Sequence, residues 1–124
     1  MSKKVLIVDD ERNICELIGH ILKEKGYKIE IAHNGVECLK KVKSFDPDLI
    51  LLDVNMPQAD GLQVLEHLRN IKKTRKLPVI MCTERNGMDD IHKADRFGIS
   101  GYITKPFVVE RVLKKVEEAI ANKE

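Results

Sequence analysis

Leu49-Ile50-Leu51-Leu52-Asp53 decides the fold, because four consecutive apolar side chains run directly into a carboxylate. A strand with one wet face alternates apolar and polar residues, so an unbroken apolar run of this length reads as a strand covered on both faces. The pattern recurs in Val5 to Val8, closed by Asp9 and Asp10, and in Pro78 to Cys82, closed by Thr83. Between these runs the period changes to that of a helix. Ile14, Leu17, Ile18, Ile21 and Leu22 mark one helical face, and Gly26 stands just beyond it, where a left-handed residue can end the helix.

Tyr27 to Ala32 reads as a second strand, and after Asn34-Gly35 a helix carries Val36, Leu39 and Val42 as far as Asp46-Pro47. A loop with Pro57 and Gly61 follows Asp53 and leads to a helix with Val64, Leu65, Leu68 and Ile71. Around Met88 to Phe97 the apolar face is thin, only Met88, Ile91 and Ala94, which predicts the most loosely held helix. Tyr102 to Thr104 is a brief fifth strand before Lys105-Pro106. Val109, Val112, Leu113, Val116 and Ile120 place a final helix, reaching Ala121, against the core. Five strands alternating with five helices predict an α/β fold, a doubly wound parallel sheet with helices on both faces. No composition shift, repeat or linker interrupts the pattern, so residues 1–124 are expected to form one domain.

Composition narrows the function. The 22 basic and 20 acidic side chains leave a formal +2, and the few aromatics give no stacking platform, so direct nucleic-acid binding is not expected. Lys72, Lys73, Arg75 and Lys76 form the densest basic run, between a helix and a strand, and read as a solvated connection. The longest apolar run is far short of the roughly twenty residues that cross a bilayer, so membrane insertion is not expected either. Cys15, Cys38 and Cys82 lack the close spacing of a zinc or redox site and follow no signal peptide. Reduced, buried thiols in a soluble cytoplasmic protein are the expectation.

In an open parallel sheet, ligands bind beyond the carboxyl ends of the strands. Those ends here are Asp9 and Asp10, Asp53, Thr83 and Lys105, while strand two ends blandly in Ala32 and His33. Each residue alone has a plainer role: Asp10 as a helix cap, Thr83 as a turn hydroxyl, Lys105 as a surface ammonium. Together they do not. Carboxylates at neighbouring strand ends repel and raise one another's pKa unless a cation compensates. Oxygen ligands without His or Cys suit Mg2+ or Mn2+. Such a site can receive a phosphoryl group, with Thr83 and the backbone amides of Val54 and Asn55 as donors and Asp53 left as nucleophile.

These motifs closely resemble the response-regulator receiver family: Val5-Leu-Ile-Val-Asp-Asp10, Asp48 to Pro57 with Asp60-Gly61, Thr83, and Tyr102-Ile-Thr-Lys-Pro-Phe107. The resemblance spans the chain. It implies the strand order 2-1-3-4-5 and a phosphoryl group accepted on Asp53 from a phosphohistidine of a histidine kinase or phosphotransfer protein. It also implies direct metal ligation by Asp10, Asp53 and the Asn55 carbonyl, ligation by Asp9 through water, and a cis Lys105-Pro106 bond. Lys105 would pair with the phosphoryl group, and Thr83 would swing towards it as Tyr102 turns inward. The switched surface, made by helix four, strand five and helix five, would then meet a downstream target. Such a protein is a phosphoacceptor with slow self-catalysed dephosphorylation, not a turnover enzyme.

The sequence departs from the family's pattern in places. Glu84 follows Thr83 where a small residue is usual, Gly101 stands where an acidic residue is common, and Arg85 and Asn55 occupy positions that tune attack by water. The hydrolysis rate is expected to be individual. A haloacid-dehalogenase-like phosphatase would need Asp, not Asn55, two residues after the nucleophile. A flavodoxin-like flavin carrier would need a glycine- and hydroxyl-rich loop where Asp9-Asp10-Glu11-Arg12 stands. A non-phosphorylated pseudo-receiver used only for interaction would not need Asp10, Asp53, Thr83 and Lys105 together. Residues 1–124 would serve as a stand-alone messenger or relay intermediate, or as the front of a longer regulator.

Overall fold

A computed structural model describes residues 2–56, 60–84 and 88–123. Within them the chain alternates β1 (Lys4–Val8), α1 (Arg12–Glu24), β2 (Lys28–Ala32), α2 (Gly35–Phe45), β3 (Leu49–Asp53), α3 (Gly61–Arg69), β4 (Val79–Thr83), α4 (Met88–Asp95), β5 (Gly101–Thr104) and α5 (Val109–Lys123). The five strands form one parallel sheet in the order β2-β1-β3-β4-β5. The central strands β1, β3 and β4 are the wholly apolar runs, and each is buried on both faces. Their side chains still alternate: Leu6, Val8, Ile50 and Leu52 pack towards α2, α3 and α4, whereas Val5, Ile7, Leu49 and Leu51 pack towards α1 and α5.

Two helical faces differ from the expected stripes. Leu17 on α1 and Val36 on α2 are more than half exposed, and Cys15 and Cys38 lie inside instead. A buried free cysteine packs as a small hydrophobe, so the inner stripe on each helix includes the thiol and is rotated from the one that aliphatic residues alone suggest. Met88 and Val109 also lie partly in solvent, and Ala119 joins the core on α5. Of α4 only Ile91 and Ala94 are buried, as its thin apolar face predicts.

Beyond the packing of Phe97 and Ile99 on the core, one side chain bonds the backbone past the C-terminal end of α4. Arg69, at the end of α3, donates from Nε to the Phe97 carbonyl at 2.7 Å, from Nη2 to Gly98 at 2.8 Å and from Nη1 to Thr74 at 3.0 Å. Gly26 and Gly98 adopt the left-handed backbone expected past helix ends (φ 97° and 75°).

The chain enters α3 through a capping box. The Asp60 carboxylate accepts the Gln63 amide at 2.9 Å, and the Gln63 side chain accepts the Asp60 amide at 3.2 Å. Gly61 then donates its amide to the Val54 carbonyl at 2.9 Å. A Cβ at position 61 would collide with the Asp53 carbonyl oxygen and approach the Val54 Cα to 2.9 Å. Backbone meets backbone there, and no side chain can rotate away. Gly61→Ala is therefore expected to lower stability by about 1–3 kcal/mol, read as a fall in the urea midpoint. An unchanged midpoint would mean that the two backbones separate without cost.

Candidate functional site

Parallel register brings the carboxyl ends of β1, β3 and β4 side by side, with Val8 opposite Leu52 and Asp53 opposite Cys82. Asp9 directly follows β1, Asp53 ends β3, Thr83 ends β4 and Lys105 directly follows β5. All four side chains are buried. Lys105 Nζ lies 3.0 Å from Asp9 Oδ2, 3.4 Å from Asp53 Oδ2 and 3.7 Å from Glu11 Oε1. Carboxylate oxygens of Asp9, Asp10 and Asp53 lie within 4.8 Å of one another, with Asp10 the exposed member. Asp9, Asp10, Asp53 and Lys105 thus cluster at one end of the sheet, with Thr83 at the end of the neighbouring β4, and the Lys105-Pro106 bond is cis.

Asp9 is fixed from every side. Its amide donates to the Ala32 carbonyl at 3.1 Å, and its Oδ1 accepts the Glu11 amide at 2.9 Å. Its carbonyl accepts the Cys15 thiol at 3.3 Å and lies 3.0 Å from His33 Nδ1. A carbonyl can only accept, so His33 carries its proton on Nδ1 in this contact. The end of strand two is therefore not bland: His33 buttresses the first acidic strand end. Glu11 is a further acidic neighbour of Lys105, and it takes the N-cap position of α1 without a side-chain cap bond. Asp10 does not take that position, and its plain capping role falls away.

The charges do not balance without help. Burial pushes the Asp53 carboxyl up to about 7, and the neighbouring Asp9 charge adds to the rise. Lys105 and the Asn55 amide, which donates to Asp53 Oδ1 at 3.2 Å, oppose it. Burial alone would lower the Lys105 pKa, but its hydrogen bond to Asp9 and the charges of Asp53 and Asp9 raise it, so the ammonium stays protonated. One ammonium thus faces two buried carboxylates. The buried thiols near the site are not nucleophiles: burial and the Asp9 charge push Cys15 up to about 12, and burial raises Cys82 above its ordinary value.

Both backbone donors expected from the sequence are already engaged: the Val54 amide continues the sheet ladder to the Cys82 carbonyl at 2.9 Å, and the Asn55 amide donates to Asp53 Oδ1. The Thr83 hydroxyl, by contrast, is wholly buried and has no hydrogen-bond partner among the described residues. Such a group costs about 1–3 kcal/mol to leave unmade, which is tolerable where a ligand oxygen completes it. Tyr102 is 39% exposed, turned outward on β5, and Glu84 is exposed just past Thr83. Arg85 and Pro57 lie outside the described residues.

The sheet order, the acidic strand ends and the buried lysine define a receiver, and comparison with known proteins agrees. The profile of the response regulator receiver domain matches residues 5–117, and the chain belongs to that family. It is 37% identical over 116 residues to the response regulator MprA of Mycobacterium ulcerans, covering 94% of this chain and 49% of that protein. It is 37% identical over its whole length to the alkaline phosphatase synthesis transcriptional regulatory protein PhoP of Bacillus subtilis, covering 51% of it. The chain thus spans about half the length of these curated relatives. The structure of the chemotaxis response regulator CheY4 of Vibrio cholerae superposes with a TM-score of 0.89 at 31% identity, covering 96% of this chain and 99% of that one.

The raised Asp53 pKa carries a pH signature. A carboxyl with a folded-state pKa above its unfolded value of about 4 supports the fold when protonated, and that support is lost as pH rises through about 7. In chelator, the protein is expected to lose stability across this window, while Asp53→Asn does not. By about pH 8 the variant should be the more stable by at least about 1 kcal/mol in urea unfolding. Parallel pH profiles for the two proteins would show that Asp53 is not the strained group.

Proposed function

We propose that this receiver accepts a phosphoryl group on Asp53 from a phosphohistidine of a histidine kinase or phosphotransfer protein. The observation that carries the reading is the buried Asp53 carboxylate beside a protonated Lys105, with the Thr83 hydroxyl, without a partner among the described residues, one residue past its β4 neighbour. An Asp53 oxygen attacks phosphorus, the phosphorus–nitrogen bond of the donor breaks, and the imidazole leaves with the electron pair. Lys105, already within ion-pair distance of Asp53, is placed to face the negative oxygens of the transferred group. The Thr83 hydroxyl donates to one of those oxygens and so gains the partner it lacks.

The donor set fits a hard divalent cation: three carboxylates within reach of one another and no His or Cys among them. Asp10, Asp53 and the Asn55 carbonyl would hold Mg2+ (or Mn2+) directly and Asp9 through water. When bound, the ion supplies positive charge to offset the transferring group. The protein acts as a phosphoacceptor with slow self-catalysed dephosphorylation, its rate tuned by Asn55, Glu84 and Arg85, and not as a turnover enzyme.

Output runs through α4, β5 and α5 to a downstream target protein. Engagement of Thr83 draws β4 towards the site and leaves room for the outward Tyr102 to turn in, shifting a two-state equilibrium. The Lys105 amide donates to the Thr83 carbonyl at 2.7 Å, which supports mechanical coupling between β4 and the Lys105-Pro106 turn. Residues 1–124 form one receiver domain in this reading. The buried free thiols fit a reducing cytoplasm, and no helix of the described residues is long and apolar enough to cross a membrane.

Acetyl phosphate with Mg2+ is expected to add one phosphoryl group to the protein by intact mass, and none to Asp53→Asn. Full labelling of that variant would reject the assignment. Lys105→Ala is expected to take up phosphate yet fail to shift the Tyr102 environment, read by its NMR signals, because the charge that links the site to β5 is gone. A normal Tyr102 shift in that variant would disprove the coupling.

A further inference from the structure

At the opposite end of the sheet, where the chain enters β3 and β4, α2 and α3 flank a cleft of about 450 Å3. That volume lies within the roughly 300–1,000 Å3 of small-molecule sites. Its floor is core: Val42 and Leu68 are buried, and Leu39 and Leu77 pack against the same cluster. Its rim carries Lys43 from α2 and Lys73 and Lys76 from the connection before β4, against a single carboxylate, Asp46. The basic connection is exposed, as its sequence suggests, but two of its lysines border a concave apolar surface.

Donors and acceptors are unequally engaged around this cleft. The backbone acceptors at its helix ends have partners: Val42 receives the Asp46 amide, Leu68 the Ile71 amide and the Thr74 hydroxyl, and Thr74 the Arg69 guanidinium. Lys43, Lys73 and Lys76 have no ion pair or hydrogen bond among the described residues. The open charge is therefore net cationic, three ammonium groups against the Asp46 carboxylate with His67 beside them, and the floor of the cleft is apolar. From this complementarity we propose that the cleft binds a small amphipathic anion, an apolar body carrying a carboxylate or phosphate. The body rests on Val42, Leu68 and Leu77, and the head lies between Lys43 and the pair Lys73 and Lys76.

This site is independent of phosphoryl transfer. A β-strand of five residues, about 17 Å long, separates the residues that precede β3 from Asp53 at its end.

The probe is decanoate, kept monomeric and titrated into the 15N-labelled full chain while amide shifts are followed. Shifts are expected to be confined to residues 39–47 and 67–77, with decanoate binding at least about tenfold tighter than the uncharged decanol. The exposed double variant Lys73→Glu/Lys76→Glu is expected to weaken binding by about tenfold or more, and Asp53→Asn to leave it unchanged. Equal affinity for decanol, indifference to charge reversal, or shifts centred on the acidic strand ends would each overturn the proposal. Perturbation by anionic phospholipid vesicles without any response to monomeric decanoate would also overturn it, since the face would then read a lipid surface.

Discussion

One ammonium shared between two buried carboxylates governs this protein. Lys105 lies 3.0 Å from Asp9 and 3.4 Å from Asp53, all three side chains withdrawn from water. Buried ions cost several kcal/mol each unless they are compensated, and a single positive charge compensates only one partner. The other must hold a proton, as the raised Asp53 pKa indicates, or meet a further cation. The chemistry proposed for the site exploits this shortfall. Two carboxylates short of positive charge and a hydroxyl without a partner among the described residues lie at the same end of the sheet.

The fold exists to keep that imbalance in position. Parallel pairing with strands of equal length brings the carboxyl ends of β1, β3 and β4 together, with Asp9 and Asp53 withdrawn from solvent and Asp10 left exposed at the rim. Local devices then fix each end. His33 and Cys15 brace the Asp9 carbonyl. The Asp60 and Gln63 box starts α3 at a set residue, and Gly61 lets that helix begin against the backbone of the strand that carries Asp53.

The sequence is legible where apolar runs and charged residues alternate sharply. The buried strands and their acidic or basic ends could be listed in order, and their convergence follows from how parallel sheets are built. Strand order rested on family resemblance, because periodicity says nothing about which strands are neighbours. Helical stripes were less legible where cysteine stands among them: Leu17 and Val36 match an aliphatic period yet face outward, and Cys15 and Cys38 fill the inner positions. The role of His33 is not legible in the sequence, because a hydrogen bond to a backbone carbonyl leaves no trace in residue spacing. The Val54 amide could not be known to be engaged until the β3–β4 register was seen.

Arg69 imposes an asymmetry on α4. Its planar fork grips the Phe97 and Gly98 carbonyls beyond the helix and the Thr74 carbonyl beneath, a geometry that a lysine's single ammonium cannot reproduce. Only Ile91 and Ala94 of the helix itself are buried, so its apolar hold is slight and these polar contacts anchor the segment that follows it. Under the proposed switch, α4 would therefore turn about the carbonyls that Arg69 holds and would not slide as a whole along β4.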